Sequence, residues 1–312
     1  MKLVSIVLSF RNEEQNIAEL VERIDKSLCQ LTGWKYEIIF VNDQSDDNSE
    51  TIIESLQKKY PIILINMSRR FGVGPCVIAG FRNANGDAIV YMDADLQDPP
   101  EILPDLMSEY ERGFDVVHTV RTKRLGESKI KMMITKLAYI IINYLSDIHL
   151  PVESGDFKLI SRKALNKILD QKEFRPYIRG LSVWVGFKQA FVKYERQPRS
   201  SGMSHFPLSS GVPLTEFING ITSYSLKPLY ISIFLGFSSL VFSFILMTYV
   251  LYAKIINIAT PGSTGVIITI SFFSGTILTC LGIIGIYLAR IFEQTKGREQ
   301  YVINEVKGYI KK

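Results

Sequence analysis

The chain has 312 residues, 47% of them hydrophobic and 21% charged, enough for one large α/β domain plus a further segment. A mean hydropathy of +0.14 is too high for an ordinary soluble enzyme. The net charge of +5 is modest and its basic residues are spread out, which suits an anionic lipid surface and leaves no nucleic-acid footprint.

The opening MKLVSIVLSF has too short an apolar part for a signal peptide, and no small-residue cleavage site follows, so the first ~225 residues are expected to stay in the cytoplasm. Strand and helix patterns then alternate. Residues 3–10 (LVSIVLSF) predict a buried strand, 12–28 a helix after an Asn cap, 36–43 (YEIIFVND) a second strand, and 47–60 a second helix. Residues 61–68 (PIILINMS) read as a third strand, 74–84 as a helix packed closely through its glycine, and 87–95 (DAIVYMDAD) as a fourth strand. A helix over 99–113 and a fifth strand over 114–120 (FDVVHTV) complete the series. Such alternation predicts βαβ units and a mainly parallel sheet, whose ligands bind beyond the carboxyl ends of the strands. The polar clusters fall there: Asn12-Glu13, Asn42-Asp43 and Asp93-Ala94-Asp95.

Residues 129–150 (KIKMMITKLAYIIINYLSDIHL) and 206–228 (FPLSSGVPLTEFINGITSYSLKP) read either as core helices or as helices lying in the membrane interface. From Pro228 to Ala253, and again from Ile255 to Ala289, there is no charged residue, and each stretch is long enough to cross the bilayer as a helix. Lys227 before the pair, and Arg290, Lys296, Arg298, Lys307, Lys311 and Lys312 after it, put both ends on the cytoplasmic side and the short loop outside. The predicted organisation is a catalytic domain over 1–205, juxtamembrane helices over 206–227, two spans over 228–290 and a cytoplasmic tail over 291–312, which either solvates the membrane exit or packs on a neighbouring subunit. Cys29, Cys76 and Cys280, and His118, His149 and His205, match neither a disulfide framework nor a zinc site.

The stretch YMDADLQDPP ends a buried strand with two carboxylates on one side. Two close carboxylates repel in a partly dry site unless a cation lies between them, and Mg²⁺ or Mn²⁺ with diphosphate oxygens would serve. A solvated acidic turn is the other reading of this stretch alone.

Together the motifs resemble those of family 2 nucleotide-diphospho-sugar glycosyltransferases, in the branch that charges polyprenyl phosphates, as bactoprenol glucosyltransferases and dolichyl-phosphate mannose synthases do. MDADLQDPPE, SIVLSFRNEE, VNDQSDDNS, SRRFGVGPCVIAGFRNANGD, SGDFKLISRKAL and RGLSVWVGFKQAFVKYERQPRSSGMSHF carry the likeness in order, and LGIIGIYLARIFEQTKGREQYVI extends it through the second span. The resemblance implies a GT-A, Rossmann-like sheet with flanking helices, interfacial helices and a C-terminal transmembrane hairpin. It implies that Glu13 and Asp43 hold the nucleoside. Asp93, Asp95 and Gln97 would serve Mg²⁺ or Mn²⁺ and the diphosphate, and Asp95 would also be catalytic. Asp156 stands at the position usually assigned as catalytic base. Arg121 falls to the donor phosphates, and Arg124, Lys129 and Arg199 to the acceptor phosphate. Asn42, Gln44, Arg70, Gly74-Pro75-Cys76, Ser9 and Ile286 depart from the family pattern, mostly around the nucleoside pocket.

The implied activity is inverting transfer of a hexose, best matched to glucose from UDP-glucose, to undecaprenyl or another polyprenyl phosphate at the inner membrane's cytoplasmic face, for surface-glycan modification. Two spans are too few for a flippase, so a separate protein is expected to move the product across; a homo-oligomer stays open. A mannosyl- or aminosugar transferase is the alternative. A processive polysaccharide synthase lacks its Q-x-x-R-W motif here, and an inactive scaffold is opposed by Asp93, Asp95, Gln97 and Asp156.

Overall fold

The computed structural model describes residues 1–124, 129–149, 151, 154–171, 173–174, 176–196, 212–256 and 262–308. They form two compact units. The first comprises Met1–Tyr144, Ile148–Gly220 and the chain from Arg298 onward; the second comprises Leu145–Asp147 and Ile221–Gly297.

The first unit is built on an eight-stranded sheet. Strands β1 (Lys2–Phe10), β2 (Trp34–Asn42), β3 (Ile62–Met67) and β4 (Ala88–Asp93) pair in parallel in the order β3-β2-β1-β4. Their near-continuous Val/Ile/Leu/Phe runs are what a strand covered on both faces requires. Helices α1 (Ile17–Leu28), α2 (Ser49–Leu56), α3 (Val73–Asn83) and α4 (Leu103–Glu111) make the crossovers. α1 turns Ile17, Leu20, Val21, Ile24 and Leu28 onto the sheet at helical spacing. α3 approaches through Gly80, where a Cβ would overlap Val7 and Val41.

Beyond the five strands legible in sequence, the sheet continues. β6 (Ser154–Ser161) inserts antiparallel between β4 and β5 (Val116–Arg124), and β7 (Gln189–Arg196) runs parallel to β5. β4 and β6 pair Ala88 with Ser161 through Tyr91 with Lys158, and two residues further along the same register Asp93 comes opposite Asp156. α5 (Lys129–Leu145), α6 (Arg162–Leu169) and α7 (Ile178–Trp184) flank this half, and α8 (Val212–Thr222) follows it. The expected interfacial segment at 206–211 lies outside the described residues. The expected tail makes the eighth strand instead of merely solvating the exit: β8 (Ile303–Lys307) adds antiparallel to β3.

The second unit holds α9 (Lys227–Ile255) and α10 (Ser263–Thr295), which carry the two apolar stretches. Only 6% and 0% of their most hydrophobic windows are buried, so they are not the core helices of a soluble domain. Small residues Ser232, Gly236, Ser239 and Ser243 of α9 line a groove with Thr276 and Cys280 of α10.

Inside the first unit, His118 is buried, stacked on Phe191 at 5.5 Å, with Nε2 and Gln189 Oε1 3.0 Å apart. Burial, reinforced by the charge of Lys158, lowers its pKa to about 3. The unfolded chain therefore binds a proton that the folded one refuses. His118 costs stability progressively as pH falls below about 6.5, down to its native value. We expect His118→Phe to flatten the acid side of the stability–pH curve between pH 6.5 and 4, by at most about 1.4 kcal/mol per pH unit, in melts of the detergent-solubilised protein.

Candidate active site

Every expected site residue that is described lies at one edge of the sheet, where β1, β2, β4 and β5 end and β6 begins. Two clusters divide that edge.

The first joins the ends of β1 and β2. Asn12 and Gln44 both have left-handed backbone, φ +57° and +59°, which turns the chain sharply after each strand. The two turns are laced together. Asn12 N donates to Ser45 Oγ (3.0 Å), Asp46 N to Asn12 Oδ1 (2.8 Å), and Glu14 N to Asp47 Oδ2 (3.1 Å). Glu13 is buried, its amide donating to Ser49 Oγ and its Oε2 accepting Asn16 Nδ2 at 2.5 Å. Asp43 accepts the backbone N–H groups of Phe71 (2.6 Å) and Gly72 (3.0 Å), so its carboxylate clasps the loop entering α3. Gln44 stands where glycine is common, yet it takes the positive φ, and its Oε1 accepts Arg70 N at 3.2 Å.

The second cluster gathers charge. Asp93, at the end of β4, accepts Tyr91 Oη at 3.2 Å, and Asp95 Oδ1 accepts Gln97 N at 3.1 Å. Between them and Asp98 the chain strains: Leu96 has φ +61°, a left-handed conformation that costs a bulky residue of order 1 kcal/mol and concentrates at functional sites. Asp98 is fully buried. It accepts the Tyr194 hydroxyl and lies 3.8 Å from Arg121 Nη2 and 3.9 Å from Arg196 Nε. Arg121 Nε also donates to Tyr194 Oη at 3.0 Å. Burial opposes the Arg121 charge, but Asp98 and Tyr194 more than offset it and raise its pKa. Asp156 receives both arms of Arg179: Nε to Oδ1 at 2.7 Å, and Nη2 to Oδ2. Burial alone would raise the Asp156 pKa. The charge and hydrogen bonds of Arg179, with Lys158 and Arg121, outweigh it and hold the carboxyl well below the usual range. Lys158 is fully buried, donates to Ser182 Oγ at 3.1 Å, and has its pKa lowered by burial to about 8.

Asp93 is the exception. Burial first, then the charges of Asp98, Asp156 and Asp95, raise its pKa, with Arg121 only partly compensating. The site thus carries a concentration of negative charge that a divalent cation would relieve. Among the described residues no group of three or more His, Cys, Asp or Glu side chains is arranged to hold a metal ion alone. The donor set fits an ion held by one or two carboxylates and completed by substrate phosphate oxygens, the usual arrangement for Mg²⁺.

Asp98, Arg179, Lys158 and Tyr194 were not singled out in the sequence as site residues. Asp98 sits within the same DADLQDPP stretch, and Lys158 two places after Asp156; Arg179 had no local signal. Arg199 lies outside the described residues, and the side chains of Arg124 and Lys129 do as well; backbone pairing alone places Arg124 at the end of β5 beside Arg196. A cleft lined by Lys2, Asp87, Asp115 and Arg162 opens at the opposite, amino ends of the strands and holds none of these groups.

The profile of glycosyl transferase family 2 matches residues 5–169. An uncharacterised glycosyltransferase of Bacillus subtilis is 38% identical over 306 residues, covering 97% of this chain and 94% of its own. A prophage bactoprenol glucosyl transferase homolog of Escherichia coli K12 is 32% identical, over 97% of this chain and 99% of its own. The bactoprenol glucosyl transferase of Shigella phage SfV is 30% identical over the same shares. The chain belongs to glycosyl transferase family 2.

One glycine tests the second cluster directly. A Cβ at Gly155 would lie 2.6 Å from Arg121 Nη2. Gly155→Ala should displace this guanidinium from Asp98 and Tyr194 and, because it leaves the buried Asp98 less balanced, lower the melting temperature as well. We expect the turnover number to fall by about 10- to 100-fold, the cost of a roughly 1 Å misplacement, read in a glycosyl-transfer assay.

Proposed function

We propose that the protein transfers a hexose from a nucleotide-diphospho-sugar to a polyprenyl phosphate at the cytoplasmic face of the membrane, with UDP-glucose as donor and undecaprenyl phosphate as acceptor. The observation that carries this reading is the cluster of Asp93, Asp95, Asp98 and Asp156 with Arg121 and Arg179 at the strand ends, in a chain that also holds two exposed apolar helices. The phage bactoprenol glucosyl transferase aligns across nearly the whole chain, so the likeness extends to the hairpin as well as the catalytic domain.

Membrane topology has support of its own. The strand after the hairpin, β8, belongs to the same sheet as the strands before it, which favours the reading that both ends of the hairpin lie on one side of the bilayer. On α5, Met133, Leu137, Ile140 and Tyr144 are exposed at three- and four-residue spacing, an apolar stripe suited to the interface.

In this reading Glu13 and Asp43 frame the nucleoside, Asp43 through the loop it clasps. Asp93 and Asp95, with Gln97 beside them, hold the divalent ion against the donor diphosphate, where the ion would offset charge on the departing nucleotide. Arg121, fixed by Asp98 and Tyr194, is oriented toward phosphate before substrate arrives. The acceptor is a phosphomonoester with a second pKa of about 6, already dianionic at neutral pH, so little is gained from a general base. Asp156, bound by both arms of Arg179, is a poor base and a good anchor: it aims the guanidinium toward the acceptor phosphate. Arg124, Lys129 and Arg199 complete that phosphate's surroundings by their place in the motifs. Attack opposite the leaving group inverts the anomeric carbon, giving a β-linked lipid-phosphate sugar from an α-linked donor.

The test offers the purified protein undecaprenyl phosphate, Mg²⁺ or Mn²⁺, and radiolabelled UDP-glucose, UDP-GlcNAc, UDP-galactose and GDP-mannose. Label from UDP-glucose should enter the organic phase, and EDTA should stop it. Label from another donor alone would replace glucose; label from none would overturn all four donors and point to a rarer sugar or an inactive scaffold. Asp95→Asn should lower transfer by roughly 10³-fold or more, whereas Asp156→Asn should retain activity within about 10²-fold of wild type. Equal losses in the two variants would contradict the division of labour.

A further inference from the structure

A line of hydrogen bonds joins the C-terminal strand to the end of β2. Lys307 Nζ donates to Glu50 Oε1 at 2.8 Å, and the same oxygen accepts Asn66 Nδ2 at 2.6 Å. Asn66 Oδ1 accepts Asn42 Nδ2 at 3.0 Å, and Asn42 Oδ1 accepts the backbone N–H of Ser45 at 2.8 Å. Asn42 and Asn66 are buried, so neither amide can exchange its partners for water without cost.

The line has a direction. A carboxylate only accepts, so Asn66 must turn its nitrogen to Glu50 and its oxygen to Asn42. Asn42 must then offer its nitrogen to Asn66, which leaves its oxygen for Ser45. An aspartate at position 42, common in the family pattern, would set two acceptors face to face at the Asn66 link. Reversing Asn66 would only move that clash to Glu50. Asparagine at 42 and the Glu50 carboxylate that Lys307 holds therefore belong to one arrangement. The strand has a second hold on the same region: Ser68 N donates to Val302 O at 3.0 Å, at the start of the loop whose far end, Phe71–Gly72, Asp43 clasps.

We propose that β8, through Lys307, is a positioning element for the nucleoside end of the donor site, with Glu50, Asn66 and Asn42 transmitting its hold to residues 43–45. This rests on the reading of Asp43 as part of the nucleoside pocket. Lys307 touches no substrate; it holds the Glu50 carboxylate in place, and that carboxylate fixes which way the buried amides point, and so where the turn after β2 sits.

The test uses full-length protein in detergent with Mn²⁺ and measures UDP binding by calorimetry, with GDP as the probe should wild type prefer it. Asn66→Ala, which breaks both amide links of the line, should weaken nucleotide binding by about fivefold or more, and Lys307→Met, which breaks the part-exposed pair with Glu50, by about twofold or more. They should raise the donor KM in proportion, with kcat and the polyprenyl phosphate KM within twofold of wild type. Lys307→Arg, which keeps the charge and a donor, should restore binding. Glu54→Gln takes the charge out of a different contact of Lys307, at 2.6 Å, that lies outside the line, and should bind as wild type does. Unchanged affinity in Lys307→Met or Asn66→Ala would overturn the proposal. So would an equal loss in Glu54→Gln, since the lysine would then only hold the strand. If Lys307→Met fails to fold, Asn66→Ala against Glu54→Gln still decides. Wild type that binds neither nucleotide would refute the nucleoside reading itself, a result distinct from any difference among the variants.

Discussion

Four carboxylates, Asp93, Asp95, Asp98 and Asp156, converge where β4 ends and β6 begins, because antiparallel pairing of those strands brings Asp93 opposite Asp156. Left unbalanced, that convergence would be costly in a partly dry recess. Much of the surrounding structure balances it. β7 delivers Tyr194 and Arg196 to Asp98, β5 delivers Arg121, and α7 delivers Arg179 to Asp156. These partners cancel the charge around Asp93 only in part, and on the proposed reading a divalent ion with the donor diphosphate would offset the remainder.

The half of the sheet built from β1 to β4 was legible in the sequence, since these strands are largely apolar runs ending in polar clusters and the helices between them show clear periodicity. β6 and β7 were less so. Ser154–Ser161 and Gln189–Arg196 mix charged and apolar residues, because one end of each strand serves the charged cluster. β8, with sequence INEVK, is short, polar and at an edge, which gives periodicity nothing to detect. The motif carboxylates could be placed in advance because they follow strands directly. Arg179 could not, since its partner lies 23 residues away and only the packing of α7 against β6 brings them together.

Departures from the family pattern around the turn after β2 acquire physical reasons. Gln44 adopts a backbone conformation that glycine adopts more readily, and its side chain offsets some of that cost by capping Arg70 N. Asn42 gives up a carboxylate and gains the donor that Asn66 needs. Both changes alter how the turn is held while leaving Asp43 in contact with Phe71 and Gly72.

The order of the chain gives β8 a consequence during synthesis. A ribosome makes both apolar helices before it makes Ile303–Lys307, so the sheet remains one strand short until the hairpin has emerged. Over that interval β3 is an open edge, able to pair with another strand and exposed to aggregation. The turn after β2 meanwhile lacks the ties to Lys307 and Val302. On the proposed reading, the donor pocket is therefore completed last, after both apolar helices have been made.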